Sequence, residues 1–257
     1  MEKTDKQVSR FGRTDVQRDA KKERFRPTLG DLFILHFLSK GEYIDGLWVG
    51  VQTPDREQYK LVLERLRAAL VLVKTYDPLR YRRLTCYLKR IWVTRVHGPR
   101  ACFYYRLDAC VLNPQYVLRD TMTPAHLAAA IVHEATHARL WGMGFRYEEE
   151  ARPRIEAICV RRELAFSRKL PHGEEVRDWV EQTLISLRSP TFLSKAELAK
   201  SRDDYAIEEL RRLGVPDRMI RGIFVLRRVL RPFILNPAVK GCAEWPNRRI
   251  RLRWEPI

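Results

Sequence analysis

The sequence predicts an α+β fold in which a small antiparallel sheet leads into one long helix and the C-terminal half is mostly helical. Three observations carry this. Two β-rich runs, Ile91–Val96 and Ala101–Leu107, flank the turn signal Gly98-Pro99, with a third short run at Ala109–Leu112. An alanine-rich segment from Thr123 to Trp141 has a capping threonine, a proline at the first helical position and two terminal glycines, Gly142 and Gly144. Beyond it, helical patterns recur over residues 154–166, 176–187, 195–213 and 219–235.

Taken in order, residues 1–26 hold nine basic and five acidic side chains and few apolar ones, so this stretch reads as a mobile arm of mixed charge. Residues 27–236 then form the main domain, and 237–257 a basic C-terminal extension. From Asp31 to Val51 the apolar residues suggest packed segments of uncertain type. Thr53-Pro54 reads as the cap and first turn of a helix whose apolar positions are Tyr59, Val62, Leu66, Ala69, Leu70 and Val73, ending where Asp77-Pro78 restarts the chain. Ser194 and Glu197 form a capping box. The end, Asn247–Trp254, alternates basic and apolar residues in strand fashion.

The chemistry concentrates in the alanine-rich helix, where His133, Glu134 and His137 spell H-E-x-x-H. Two histidines four positions apart project from one helical face about one turn apart, close enough to share a metal ion. Glu134, beside them, is placed to accept a proton from a metal-bound water, the general-base role this motif implies. Ile131, Val132, Ala135, Thr136 and Ala138 are uncharged, as a motif beneath a cleft requires, whereas Arg139 departs from the apolar residue common there. The competing reading is a packed helix with two incidental histidines, but a glutamate between buried, unpaired imidazoles is costly to desolvate.

Over roughly Cys86 to Leu170 the chain resembles the zincin metallopeptidases. That resemblance implies a zincin-like fold, bound Zn2+, hydrolysis of a peptide or protein substrate, and a sheet edge that takes up extended peptide. The metzincin branch is excluded, because Leu140 and Met143 stand where its glycine and third histidine would be. No histidine or aspartate occurs between His137 and His172, which leaves Glu148, Glu149, Glu150, Glu156 and Glu163 as hard ligands. Glu156 is the choice: Pro153 suits the start of a second helix, and an antiparallel return brings Glu156 back to the histidines. Eighteen residues between His137 and Glu156 is also similar to the His-His-Glu, or gluzincin, branch. The alternative for Glu156 is a surface pair with Arg152, and Glu148 to Glu150 read as a solvated acidic turn. Gluzincins carry an aspartate one turn after the ligand to orient a histidine; here Cys159 and Val160 stand there, so that partner is unassigned. His172, Tyr205 and Tyr147 are candidates for stabilising an oxyanion, and spacing selects none of them.

A formal charge of +17 and a pI near 10.0 imply an anionic partner, whether nucleic acid, an acidic membrane surface or an acidic protein. From this comes an expectation of another class, a basic binding protein on a zincin scaffold with a structural or vestigial metal. Residues 219–235 mix an apolar stripe with arginines, which fits a core-packing helix with a solvated basic face or one lying on a membrane. Five cysteines without C-x-x-C spacing indicate neither a disulfide framework nor a cysteine zinc site and fit a cytoplasmic protein. Leu32–Leu38 is too short to span a bilayer, and no internal repeat or glycine-rich phosphate loop occurs.

Overall fold

The computed structural model describes residues 39–94, 100–187 and 214–230 continuously, with individual positions within 29–37, at 189 and within 200–211. The calls on the arm 1–26, Gly98-Pro99, the Ser194–Glu197 capping box, Tyr205, the extension 237–257 and its Asn247–Trp254 strand lie outside the described residues.

The chain enters its sheet through a hairpin of β1 (Lys40–Ile44) and β2 (Leu47–Val51). The two-residue turn is Asp45-Gly46, with φ of 49° and 80°, the left-handed pair that twists a hairpin correctly. Helix α1 (Arg56–Tyr76) starts slightly later than Thr53-Pro54 suggests, because the Asp55 carboxylate takes the N–H groups of Glu57 and Gln58 and is the actual cap. Thr53 instead accepts from the N–H of Asp55. Val62, Leu66, Ala69, Leu70 and Val73 are buried, as their period requires. Helix α2 (Pro78–Tyr87) follows at once, with Asp77 ending one helix and capping the next.

Strands β3 (Arg90–Val93), β4 (Ala101–Tyr104) and β5 (Ala109–Leu112) complete one mixed, five-stranded sheet of order β1-β2-β3-β5-β4. The sheet is therefore not the antiparallel one expected, and the Ile91–Val96 and Ala101–Leu107 runs are not partners. β5 lies between them, parallel to β3 and antiparallel to β4. The reason is topological: α1 and α2 carry the chain across from β2 so that β3 runs parallel to it, and the tight turn after β4 lays β5 into the space beside β3.

Side chains alternate across this sheet. Leu47, Val49, Val51, Ile91, Val93, Cys110 and Leu112 face the main core with the helices, while Trp92, Ala109 and Val111 join Leu35, Tyr104 and Leu107 in a smaller cluster on the other face. Among the described residues, helices α3 (Pro114–Leu118), α4 (Pro124–Gly142), α5 (Arg152–Ser167) and α6 (Glu174–Ser186) follow, with α7 (Asp217–Leu230) further on. Helix α4 is the centre of the packing. It contacts α1, α2, α5 and α6 and lies against β4 and β5. Its alanines at 128, 129 and 130 are buried, which lets neighbours approach closely, and Leu127 and Ile131 fill the space below. Burying a leucine or isoleucine of this kind contributes about 1.5–3 kcal/mol. Among the described residues no helix is long and apolar enough to cross a membrane.

Candidate metal centre

Thr123 caps α4 by accepting from the N–H of His126, Pro124 occupies the first turn, and Met143 closes the far end before Gly144 turns the chain at φ 92°. After a loop in which Glu149 and Glu150 are exposed, Pro153 stands in the first turn of α5, which packs back along α4. That short return sets the site.

His133 and His137 face each other with ring centroids 5.0 Å apart and their Nε2 atoms 3.2 Å apart. Glu156 on α5 closes the triangle, with Oε2 3.2 Å from His133 Nε2 and Oε1 3.4 Å from His137 Nε2. The predicted return of Glu156 to the histidines is what forms, and the surface pairing with Arg152 is not: the Glu156 side chain is only 14% exposed. Two imidazole Nε2 atoms this close to one another and to a carboxylate present lone pairs to a common point, which is stable only with protons or a cation there. The spacing fits a cation. Four donors held tetrahedrally at 2.0–2.1 Å lie about 3.3 Å from each other.

Other groups support this triangle. His133 Nδ1 donates to Glu163 Oε2 at 3.1 Å, a contact that orients the ring and turns its Nε2 toward the shared point. Tyr147 donates its hydroxyl to Glu156 Oε1 and packs edge-on against His137 at 5.5 Å, while the Arg152 guanidinium lies 5.3 Å from the Tyr147 ring centre. Of the three oxyanion candidates, Tyr147 is thus at the centre, and His172 is exposed in its loop. A ring nitrogen from each histidine and the Cys159 sulfur also lie within 4.8 Å of one another, so His133, His137 and Cys159 could hold a metal ion. The Glu156 carboxylate, at 3.2 and 3.4 Å, and the Cys159 sulfur are thus both within reach of the two rings.

Neither sequence-level matching nor shape identifies relatives: no protein-family model, no curated protein and no solved structure matches this chain. The site's chemistry therefore rests on its own electrostatics. Burial works against a charged His133, but Glu156, Glu163 and Glu134 outweigh it and hold the ring's pKa well above the ordinary value. Burial likewise opposes charge on Glu156, yet His137 and His133 hold its pKa well below the usual carboxylate range. Glu134 differs: buried and 6% exposed, its pKa is raised by desolvation despite the two histidines. Burial, and then the neighbouring glutamates led by Glu156, push the Cys159 thiol well up. A second buried anomaly points the same way, because Glu163 Oε1 lacks a hydrogen-bond partner.

Glu163 and Cys159 are the site residues that the sequence reading left without a role. The available signal was helical arithmetic: positions 156, 159 and 163 share one face of α5.

Proposed function

We propose that the chain is a zinc-dependent peptidase of zincin type, with His133, His137 and Glu156 as metal ligands and Glu134 as general base. The observation that carries this reading is the convergence of two Nε2 atoms and a carboxylate at 3.2–3.4 Å, with a second, buried carboxylate on the same helix as the histidines. What the zinc supplies when bound is Lewis-acid polarisation of the scissile carbonyl and acidification of the attacking water. Glu134, buried beside the two histidines on the same helix, would take the proton from that water and hand it to the leaving amine. Glu163 keeps His133 in the tautomer whose Nε2 is free for the metal, and Tyr147 steadies Glu156. Strand β4 ends the sheet and packs beside α4, so an extended peptide adding to its outer edge would lie along the motif helix.

The test is turnover of a peptide library by zinc-loaded protein beside Glu134→Gln. The expected outcome is cleavage by the wild type and a loss of about 10²–10⁴-fold in the variant with zinc retained. No cleavage by the metal-loaded wild type, or equal cleavage by both, contradicts the assignment.

A second reading, attachment of the basic chain to an anionic surface, is supported by α7. This helix exposes Met219, Ile223, Val225 and Leu226 alongside Arg218 and Arg221. Binding to anionic vesicles or nucleic acid that falls steeply with salt, without hydrolysis, would favour it.

A further inference from the structure

Cys159 takes no part in the hydrolytic reading, yet it is fully buried one turn beyond Glu156, on the face of α5 that meets the histidines. Its sulfur lies within 4.8 Å of a ring nitrogen of each histidine, and those two histidines are the ones that already share a point with Glu156. In a zinc tetrahedron with bonds of about 2.3 Å to sulfur and 2.0–2.1 Å to nitrogen, the S···N separation is about 3.6 Å. The sulfur, no more than 4.8 Å from either ring nitrogen, therefore needs to close by at most about 1.2 Å to enter such a shell.

We propose that Cys159 is a fourth protein ligand, whose thiolate closes the metal's remaining position in the resting protein and makes the site self-inhibited. This rests on the ligand triangle of the proposed function and adds its regulation. On metal uptake the S–H bond breaks, the proton goes to solvent and the electron pair left on sulfur forms the bond to the cation; no oxidant or reductant is needed. Substrate access then requires the thiolate to give way, so removal of the sulfur should open the site.

Cobalt(II) is the probe, because thiolate ligation gives a sulfur-to-cobalt charge-transfer absorption in the near ultraviolet that nitrogen and oxygen ligands do not. The full chain, Cys159→Ser and Cys159→Ala are each loaded with Co2+ alone, and bound cobalt is counted beside the spectrum. The expected result is one cobalt per chain in all three, with the charge-transfer band present only in the wild type, and faster peptide cleavage by Cys159→Ala. Cobalt bound by the wild type without that band, a band that survives in Cys159→Ser, or no cobalt bound at all overturns the inference. The wild-type spectrum decides even if a variant folds poorly. Band present with no hydrolysis by any form sinks the peptidase reading and leaves the ligand; hydrolysis without the band does the reverse.

Discussion

Two buried acidic clusters in this molecule are built differently. At the corner between α1 and α2, Asp77 receives the Arg80 guanidinium at 2.8 Å, the Lys169 ammonium at 3.0 Å and the N–H of Arg80. Two permanent cations face one carboxylate, and the Arg80 guanidinium reaches on to the carbonyl of Arg162, tying the corner to α5. In the α4–α5 site three glutamates, Glu134, Glu156 and Glu163, meet two imidazoles, which carry charge only when protonated. The first cluster is complete as folded. The second holds more negative charge than its histidines can balance, which is the arrangement a divalent cation completes. Charge burial is thus balanced by permanent cations in one place and by titratable rings in the other.

The largest break in that contrast is His137→Ala. It should weaken zinc binding by more than the about 10–100-fold that an outer partner of a ligand is worth, measured by competition with a chromogenic chelator. Glu163→Gln removes such an outer partner and should fall within that range of about 10–100-fold, because His133 loses the acceptor that fixes its tautomer.

Neutralising one carboxylate in each cluster should then give shifts of opposite sign in chelator-treated protein followed by thermal unfolding. Asp77→Asn should destabilise by about 1–3 kcal/mol, since it leaves charged partners unmatched. Glu134→Gln should stabilise by about 1–3 kcal/mol by relieving a desolvated carboxylate.

The pH dependence follows the same division. Although burial alone would raise it, Arg80 and Lys169 hold the Asp77 pKa below its ordinary value. Its stabilising contribution is therefore complete above the ordinary carboxylate pKa and is lost as the pH falls through the lowered one. Glu134 has the reverse sign: its pKa is raised, so its penalty is absent below the ordinary carboxylate pKa, grows as the pH rises above it and is complete once the raised pKa is passed. Comparing each variant with the wild type from acid to neutral pH checks both. The smallest effect is Tyr147→Phe, which removes one hydrogen bond to Glu156 and should cost about 0.5–1.5 kcal/mol of zinc affinity.

Much of the site was legible because its signals are local. The Thr123 cap, Pro124 and the terminal glycines set α4, four-residue spacing put His133 and His137 on one face, and a short loop with Pro153 dictated a return that delivers Glu156. What escaped depends on rotation and pairing. The face of α5 that holds Cys159 and Glu163 is set by how that helix rolls against α4, which apolar spacing leaves loosely specified. The strand order escaped because β3 and β4 are neighbours in sequence, and local pattern does not reveal that β5 inserts between them. Asp45-Gly46 between Ile44 and Leu47 was a readable hairpin signal within a segment whose strands alternate only weakly.

The central claim is that His133, His137 and Glu156 together hold one divalent cation. Zinc retained per chain after dialysis, in the wild type beside His133→Ala and Glu156→Ala, tests it most directly. The account expects one zinc in the wild type, a loss in both variants, and the larger loss in His133→Ala, because Glu156→Ala leaves His133, His137 and Cys159 in place; wild type retaining no more than the variants would contradict it.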